Sequence, residues 1–288
     1  MSALSIKGLS KSYSSIKLQK VTALVGLDLE VATGEMFGFL GPNGAGKSTT
    51  IKSIMGLIRP TAGGVQVFGV PATDPSSRRR IGYLPENPSF FDFMTAREYL
   101  TFVGSTYGMD HTSLRKESER VLDLLDLTRS ADRPIRGYSK GMVQRLGLGQ
   151  ALVHDPDMYI LDEPMSGLDP IGRALVKDII RDLKQRGKTV FFSTHITTDV
   201  EAVCDRVGVI ANGVLEAVDS VDSILEKGVI GYVISFCRPD GPDEEKHVFR
   251  EELDAAMRQL LESKAIIKAV EPKRKDMESF FLSVVSRS

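Results

Sequence analysis

Gly41-Pro-Asn-Gly-Ala-Gly-Lys-Ser48 fits the pattern G-x-x-x-x-G-K-[ST] at every defined position, and Thr49 follows it. The chemistry of such a loop constrains the fold around it. Glycine backbone wraps closely enough for successive N–H groups to point at phosphate oxygens. A helix has to begin at once, because its positive dipole end supports the anion. The flanks meet both demands. Glu35-Met-Phe-Gly-Phe-Leu40 is a short apolar run cut off by turn residues, as in a buried parallel strand. A helix is expected from Lys47 to about Ile58, stopped by Pro60. In such a loop Lys47 reaches the β- and γ-phosphates of a nucleotide and the Ser48 hydroxyl ligates Mg²⁺. The plainer alternative is a glycine-rich turn that holds nothing; the strand before and the helix after favour the phosphate loop.

A second signal lies downstream. Met158-Tyr-Ile-Leu-Asp162-Glu163 is an apolar strand ending in two carboxylates. Alone it could be a pair of solvated acids. Behind a phosphate loop, an acid at a strand end holds Mg²⁺, usually through water, and Asp162 takes that role. Glu163 is then placed to polarise the attacking water as general base.

The rest of the chain alternates in type. Residues 3–9 and 21–31 read as strands, the second half-buried and antiparallel, and Val65–Gly69 and Ile81–Leu84 as further strands. Residues 95–153 carry helical spacing at Thr95–Tyr107, Leu114–Leu127 and Met142–Val153, which marks a helical insertion. Strand character returns at Met158–Leu161, Thr189–Ser193 and Val207–Ile210, with helices at Ile171–Gln185 and Thr197–Val203 between. That alternation argues for an α/β domain with a mainly parallel sheet. Beyond residue 220 a strand at Val229–Phe236, a helix at Glu251–Ser263, a strand at Ala265–Val270 and a helix at Asp276–Val285 suggest a small α+β appendage.

Composition narrows the partners. With 37 basic against 38 acidic residues the net charge is -1, so no field of one sign points to nucleic acid. Cys204 and Cys237 are too few and too far apart for a disulfide framework and fit a reducing setting. Met1 to Tyr13 shows no secretory signal pattern. No stretch approaches the roughly 18 continuous apolar residues of a bilayer span, so at a membrane another chain has to do the spanning. His111, His154 and His247 read as structural or solvated.

Four more segments carry a resemblance to ATP-binding-cassette (ABC) ATPases, covering about residues 3–215. Tyr138-Ser-Lys-Gly-Met-Val-Gln-Arg145 resembles the family's signature sequence, Ser166-Gly-Leu-Asp169 its D-loop, and Ser193-Thr-His195 its switch histidine. Tyr13 resembles the aromatic residue on which adenine stacks. The resemblance implies an α/β fold: a P-loop NTPase core with a mixed, mainly parallel sheet, an antiparallel β subdomain and a helical insertion at about 89–150, within a domain of 1–220. The appendage then occupies 221–288. It implies ATP and Mg²⁺ as ligands, with Gly41, Pro42, Asn43, Gly44, Ala45, Gly46, Lys47, Ser48 and Thr49 around the phosphates. It also implies a second cassette packed head to tail, so that Ser139 and Gly141 contact the γ-phosphate held by the partner. His195 would contact the γ-phosphate of its own chain, and Asp169 would link the two sites. Catalysis would rest on Glu163, His195 and Lys47.

Two departures are informative. The signature usually reads Leu-Ser-Gly-Gly-Gln, and here it reads Tyr138-Ser139-Lys140-Gly141-Met142. Ile81-Gly-Tyr-Leu-Pro-Glu86 carries glutamate where the family usually has a glutamine that approaches Mg²⁺ and senses the membrane partner. A carboxylate can offer oxygen to the metal, beside Ser48 and Asp162, but adds charge near the γ-phosphate. Both departures, and Glu271-Pro followed by a short apolar-faced helix, resemble the ATPase subunits of bacterial type-2 exporters. That resemblance implies a peripheral protein at the cytoplasmic face of the membrane, powering a separate multi-span permease. The alternative is a soluble cassette ATPase acting on ribosomes or DNA; the single cassette, the absence of sustained heptads and the charge balance weigh against it. Asn87-Pro-Ser-Phe-Phe-Asp-Phe-Met94 is unusually aromatic and is the candidate contact with the permease.

Overall fold

The computed structural model describes residues 2–14, 20–227, 229–238, 241–274 and 277–286. The chain separates into two compact units, Met1–Val218 and Asp219–Arg287.

The first unit opens with a long hairpin, β1 (Ser2–Ser14) and β2 (Lys20–Ala32), and continues through β3 (Met36–Leu40), α1 (Lys47–Ile54), β4 (Ala62–Val67) and β5 (Val70–Pro71). A 3-10 turn over Pro75–Arg80 leads into β6 (Ile81–Leu84). Three helices follow, α2 (Ala96–Thr106), α3 (His111–Leu124) and α4 (Lys140–Leu152). The alternating part is β7 (Met158–Asp162), α5 (Pro170–Gln185), β8 (Thr189–Thr194), α6 (Thr197–Val203), β9 (Arg206–Ala211) and β10 (Val214–Ser220).

Two sheets result. The larger has the order β10-β9-β3-β8-β7-β6, with β9, β3, β8, β7 and β6 parallel to one another. Every residue of β3, β7 and β8 is buried, which is why these strands read as continuous apolar runs and not as alternation. The smaller sheet, β2-β1-β4-β5, is antiparallel throughout. Leu4, Ile6, Leu24 and Leu27 of its inner face share one core with Phe37, Phe39, Ile160 and Phe191 of the larger sheet. Phe191 stacks on Phe37 at 5.7 Å between centroids and tilts against Phe39 at 5.3 Å.

The parallel register matters most for function. Leu40 lies beside Thr194, and Asp162 beside Ser193, so the carboxyl ends of β3, β7 and β8 finish on one edge of the sheet. In open parallel sheets that edge is where ligands bind.

Each helix of the insertion starts on a side-chain cap. Thr95 and Glu98 form a reciprocal capping box, Asp110 accepts from Thr112 and Ser113, and Ser139 accepts from the Met142 amide. The expected helix after the phosphate loop is shorter than the sequence suggests, ending at Ile54 and not near Ile58. Gly56 takes φ +64°, and a Cβ there would lie 2.2 Å from the Ala72 carbonyl oxygen. A glycine in the left-handed region closes the helix before Pro60 is reached. The strand expected at Val65–Gly69 is split, since Phe68 and Gly69 make the turn between β4 and β5.

The second unit contains α7 (Val221–Lys227), β11 (Val229–Cys237), β12 (Asp243–Phe249), α8 (Leu253–Glu262), β13 (Ile266–Arg274) and α9 (Met277–Val285). Its antiparallel sheet has the order β12-β11-β13, and Ile234, Phe236, Val248, Ala256, Leu260 and Ala265 form its core. Asp276, the expected start of the last helix, lies outside the described residues.

Candidate functional site

The loop from Gly41 to Thr49 joins β3 to α1 and borders a cavity of about 250 Å³. Ala23, Pro42, Asn43, Gly44, Gly46, Lys47, Ser48, Thr49, Glu86 and Glu163 line it. Gly46, the N-cap of α1, sits at φ +112°, and a Cβ there would lie 2.8 Å from the Ala23 carbonyl oxygen. Only glycine fits that approach of loop to strand. Gly41 and Ala45 lie behind the lining. The Gly41 amide donates to Thr194 O at 3.2 Å and the Ala45 amide to Pro42 O at 3.2 Å.

Lys47 is the first residue of α1, and its side chain is 6% exposed. Its Nζ donates to Gly41 O at 2.7 Å and Pro42 O at 3.2 Å, and pairs with Glu163 Oε1 at 3.3 Å. His195, just past β8, places Nδ1 3.1 Å from each carboxylate oxygen of Glu163. Lys47 from the start of α1 thus meets Glu163 and His195 from just past the ends of β7 and β8. Glu163 itself has φ +50°, a left-handed conformation that a residue with a Cβ adopts only under outside constraint.

Asp162 is buried at the end of β7 and accepts the Ser193 hydroxyl at 2.5 Å. Burial pushes its carboxyl above the usual carboxylate range, the Ser193 and Ser48 hydroxyls pull it back, and the charges of Glu86 and Glu163 push it up again. Ser48, Glu86 and Glu163 line one cavity, and Asp162 precedes Glu163 at the end of β7. A hydroxyl and carboxylates are the hard-oxygen donors that Mg²⁺ takes, although among the described residues no three acidic, histidine or cysteine side chains are grouped as a preformed metal site.

Other expected residues are not in this cluster. Tyr13 does not line the cavity. It is exposed near the end of β1, with Lys11 Nζ 5.0 Å from its ring centre. It pairs across the hairpin with Val21. Ser139 and Gly141 open α4 away from the lining, with Ser139 capping Met142 at 3.3 Å. Asp169 caps α5, accepting the Gly172 amide at 2.8 Å.

Two polar residues at the site escaped sequence reasoning. Ser193 donates to Asp162 while its Oγ and its carbonyl both accept the Glu163 amide, at 3.1 and 3.2 Å. Gln144, buried on α4, donates from Nε2 to Glu163 O at 3.2 Å and Pro164 O at 3.4 Å. The available signal was a polar side chain in an otherwise buried strand and one on the buried face of the signature helix.

The aromatic segment divides. Phe90 packs edge-on against Tyr99 at 4.8 Å, whereas Phe91 is 52% and Phe93 70% exposed. Phe91 lies 5.9 Å from Phe93 and 6.0 Å from Phe102, also exposed, so an apolar patch faces solvent.

Comparison with known proteins agrees with this geometry. The ABC transporter family model matches residues 24–166. An uncharacterized ABC transporter ATP-binding protein of Synechocystis is 46% identical over 72% of this chain and 59% of its own length. The chain thus spans about six-tenths of that relative. The linearmycin resistance ATP-binding protein of Bacillus subtilis is 36% identical over 75% of this chain and 68% of its own. Among solved structures, the dimeric post-hydrolysis state of an ATP-binding cassette bound to ADP and Pi superposes with a TM-score of 0.71 at 25% identity, covering 76% of this chain and 98% of the other. With its phosphate loop, acid pair and switch histidine gathered on one sheet edge, the chain belongs to the ABC transporter family, among its ATP-binding proteins.

Proposed function

We propose that this chain binds and hydrolyses Mg-ATP to drive a separate multi-span permease of the exporter type, from the cytoplasmic face of the membrane. The observation that carries the reading is the meeting of Lys47, Glu163 and His195 beside Ser48 and Asp162. The Gly41–Thr49 amides and the N-terminus of α1 receive the phosphates, and Tyr13 stacks on adenine. Lys47 exchanges Glu163 for the β- and γ-phosphates, and Glu163, released, takes the proton from the attacking water. His195 holds the terminal phosphate from the far side of Glu163. Ser48, Asp162 and Glu86 would hold Mg²⁺, which would neutralise charge on the phosphate oxygens.

Ser139, Gly141 and Asp169 do not line the cavity of their own chain, which supports a head-to-tail pair in which they serve the partner's nucleotide. The division at about residue 220 separates this ATPase domain from the appendage. No helix among the described residues is long and apolar enough to cross a membrane. The exposed Phe91–Phe93 patch is the docking surface for the permease. The near-zero net charge gives no footprint for nucleic acid. Export is favoured by the Glu86 and Lys140 departures and by similarity to proteins named as Nod factor export ATP-binding protein I.

The test is purification of the full chain from its own membranes. A multi-span protein should accompany it, and the preparation should hydrolyse Mg-ATP in a Lys47-dependent manner. Isolation with ribosomes or DNA and no membrane partner would overturn the transport reading.

A further inference from the structure

Glu163 is held in a backbone conformation that it does not favour, at φ +50°. Such a conformer persists only where its surroundings over-determine it. On the N–H side Ser193 does this with both its carbonyl and its hydroxyl. On the carbonyl side the Ser166 amide donates to Glu163 O at 3.0 Å, and the side-chain holder is Gln144. It is 5% exposed, and its Nε2 reaches the carbonyl oxygens of Glu163 and Pro164, the two peptide units that follow the carboxylate-bearing Cα. Rotation of the Glu163–Pro164 peptide about the Glu163 Cα would change the direction of the Glu163 side chain relative to Lys47 and His195. Gln144 lies on α4, the helix whose first turn carries Ser139 and Gly141.

We propose that Gln144 is a positioning residue: its amide clamps the Glu163–Pro164 backbone, aims the Glu163 carboxylate, and ties that aim to the helix that presents Ser139 and Gly141 to a second cassette. This rests on the reading of Glu163 as general base. A leucine of similar size at 144 offers no donor, so Pro164 O loses the Gln144 amide and Glu163 O is left with the Ser166 amide.

The test compares the full-length wild type with Gln144→Leu, Gln144→Glu and Glu163→Gln, using Mg-ATP as the probe. Gln144→Leu is expected to lower kcat roughly tenfold while ATP Kd stays within about twofold, because the aim of the base is lost and the phosphate loop is not. Gln144→Glu is isosteric but donates only when protonated. Its kcat relative to wild type should therefore rise as pH falls from about 8 to about 6, the range to which burial lifts a glutamate. Packing alone would not produce that pH-dependent ratio. An unchanged kcat in Gln144→Leu overturns the proposal, as does a parallel fall of kcat, affinity and thermal midpoint with a pH-independent ratio in Gln144→Glu. Failure of both variants to fold assigns Gln144 to packing and overturns it too. A wild type with no Mg-ATPase activity sinks the hydrolytic reading itself, whereas an active wild type beside an inactive Glu163→Gln leaves that reading standing whatever Gln144 does.

Discussion

Replacing Glu163 by glutamine keeps the shape of the side chain and removes one charge from a cluster in which that charge has two partners. Glu163 and Lys47 lie 3.3 Å apart with side chains 10% and 6% exposed. At an effective dielectric constant of about 20 their attraction is about 5 kcal/mol before desolvation, and desolvation cancels most of it. In the variant Lys47 keeps Gly41 O and Pro42 O. A terminal phosphate then no longer competes with a carboxylate for the ammonium, nor is it repelled by one. A net gain of about 1.4 kcal/mol corresponds to roughly tenfold tighter ATP binding. The chemical step moves the other way. A positioned general base contributes about 10²- to 10⁴-fold, or about 3–5 kcal/mol of barrier. Glu163→Gln should therefore bind ATP about tenfold more tightly while its phosphate release falls by at least about a hundredfold. Titration with a fluorescent ATP analogue reads the first quantity and single-turnover phosphate release the second; size-exclusion chromatography should show a long-lived ATP-bound dimer. Turnover at the wild-type rate would refute the general-base role. Weaker or unchanged binding would refute the competition between carboxylate and phosphate for Lys47.

Lys47→Ala should weaken ATP binding roughly a hundredfold, since a charge-assisted contact is lost, and stop turnover; near-normal affinity by calorimetry would remove Lys47 from the phosphate site. Phe91→Asp breaks an exposed aromatic contact and should lower transport at least roughly tenfold while leaving basal hydrolysis within about twofold, so unchanged transport in vesicles would move the docking surface elsewhere. Burial holds His154, stacked on Tyr107 at 3.6 Å, down at about 4, well below the ordinary imidazole value. Its contribution to stability is complete above about pH 6.5 and is lost as pH falls toward 4, because there the unfolded chain binds a proton that the folded chain refuses. Discounted for partial exposure, the loss is about 2 kcal/mol, and an acid limb of the denaturation profile that His154→Phe does not flatten would show the assignment to be wrong.

The parts of the fold written in local pattern were legible. β3 and β7 announce themselves as apolar runs stopped by turn residues or acids, and the phosphate loop fixes what joins β3 to α1. The parts set by pairing were not. Nothing along the chain says that Ser193 stands beside Asp162, because the two are 31 residues apart with α5 between them, and the register is decided by how β7 and β8 pair. Gln144 was hidden for the same reason, since its partners are backbone carbonyls about twenty residues away. β12, Asp243-Glu-Glu-Lys-His-Val-Phe249, was missed because its charges read as a loop; as an edge strand it turns them mostly to solvent. The end of α1 was misread because Pro60 looks like the stronger breaker, whereas Gly56 acts first by closing against Ala72.

The caps of α4 and α5 show how folding and function use one set of residues. Ser139 caps α4 and Asp169 caps α5, and each has to stand at the exposed, positive end of its helix to do so. On the proposed reading, a second cassette's terminal phosphate meets a hydroxyl and amides at such an end, and Ser139 serves it from its capping position. Asp169 differs, because a carboxylate there repels the phosphate and can only bridge cassettes through donors. Gln144 then gives the phosphate contact a consequence in its own chain. A pull on the first turn of α4 reaches the Glu163 carbonyl through one rigid helix and one side-chain amide. On the proposed reading, hydrolysis at one site is sensitive to the nucleotide at the other, and the element whose position both sites bias is α4.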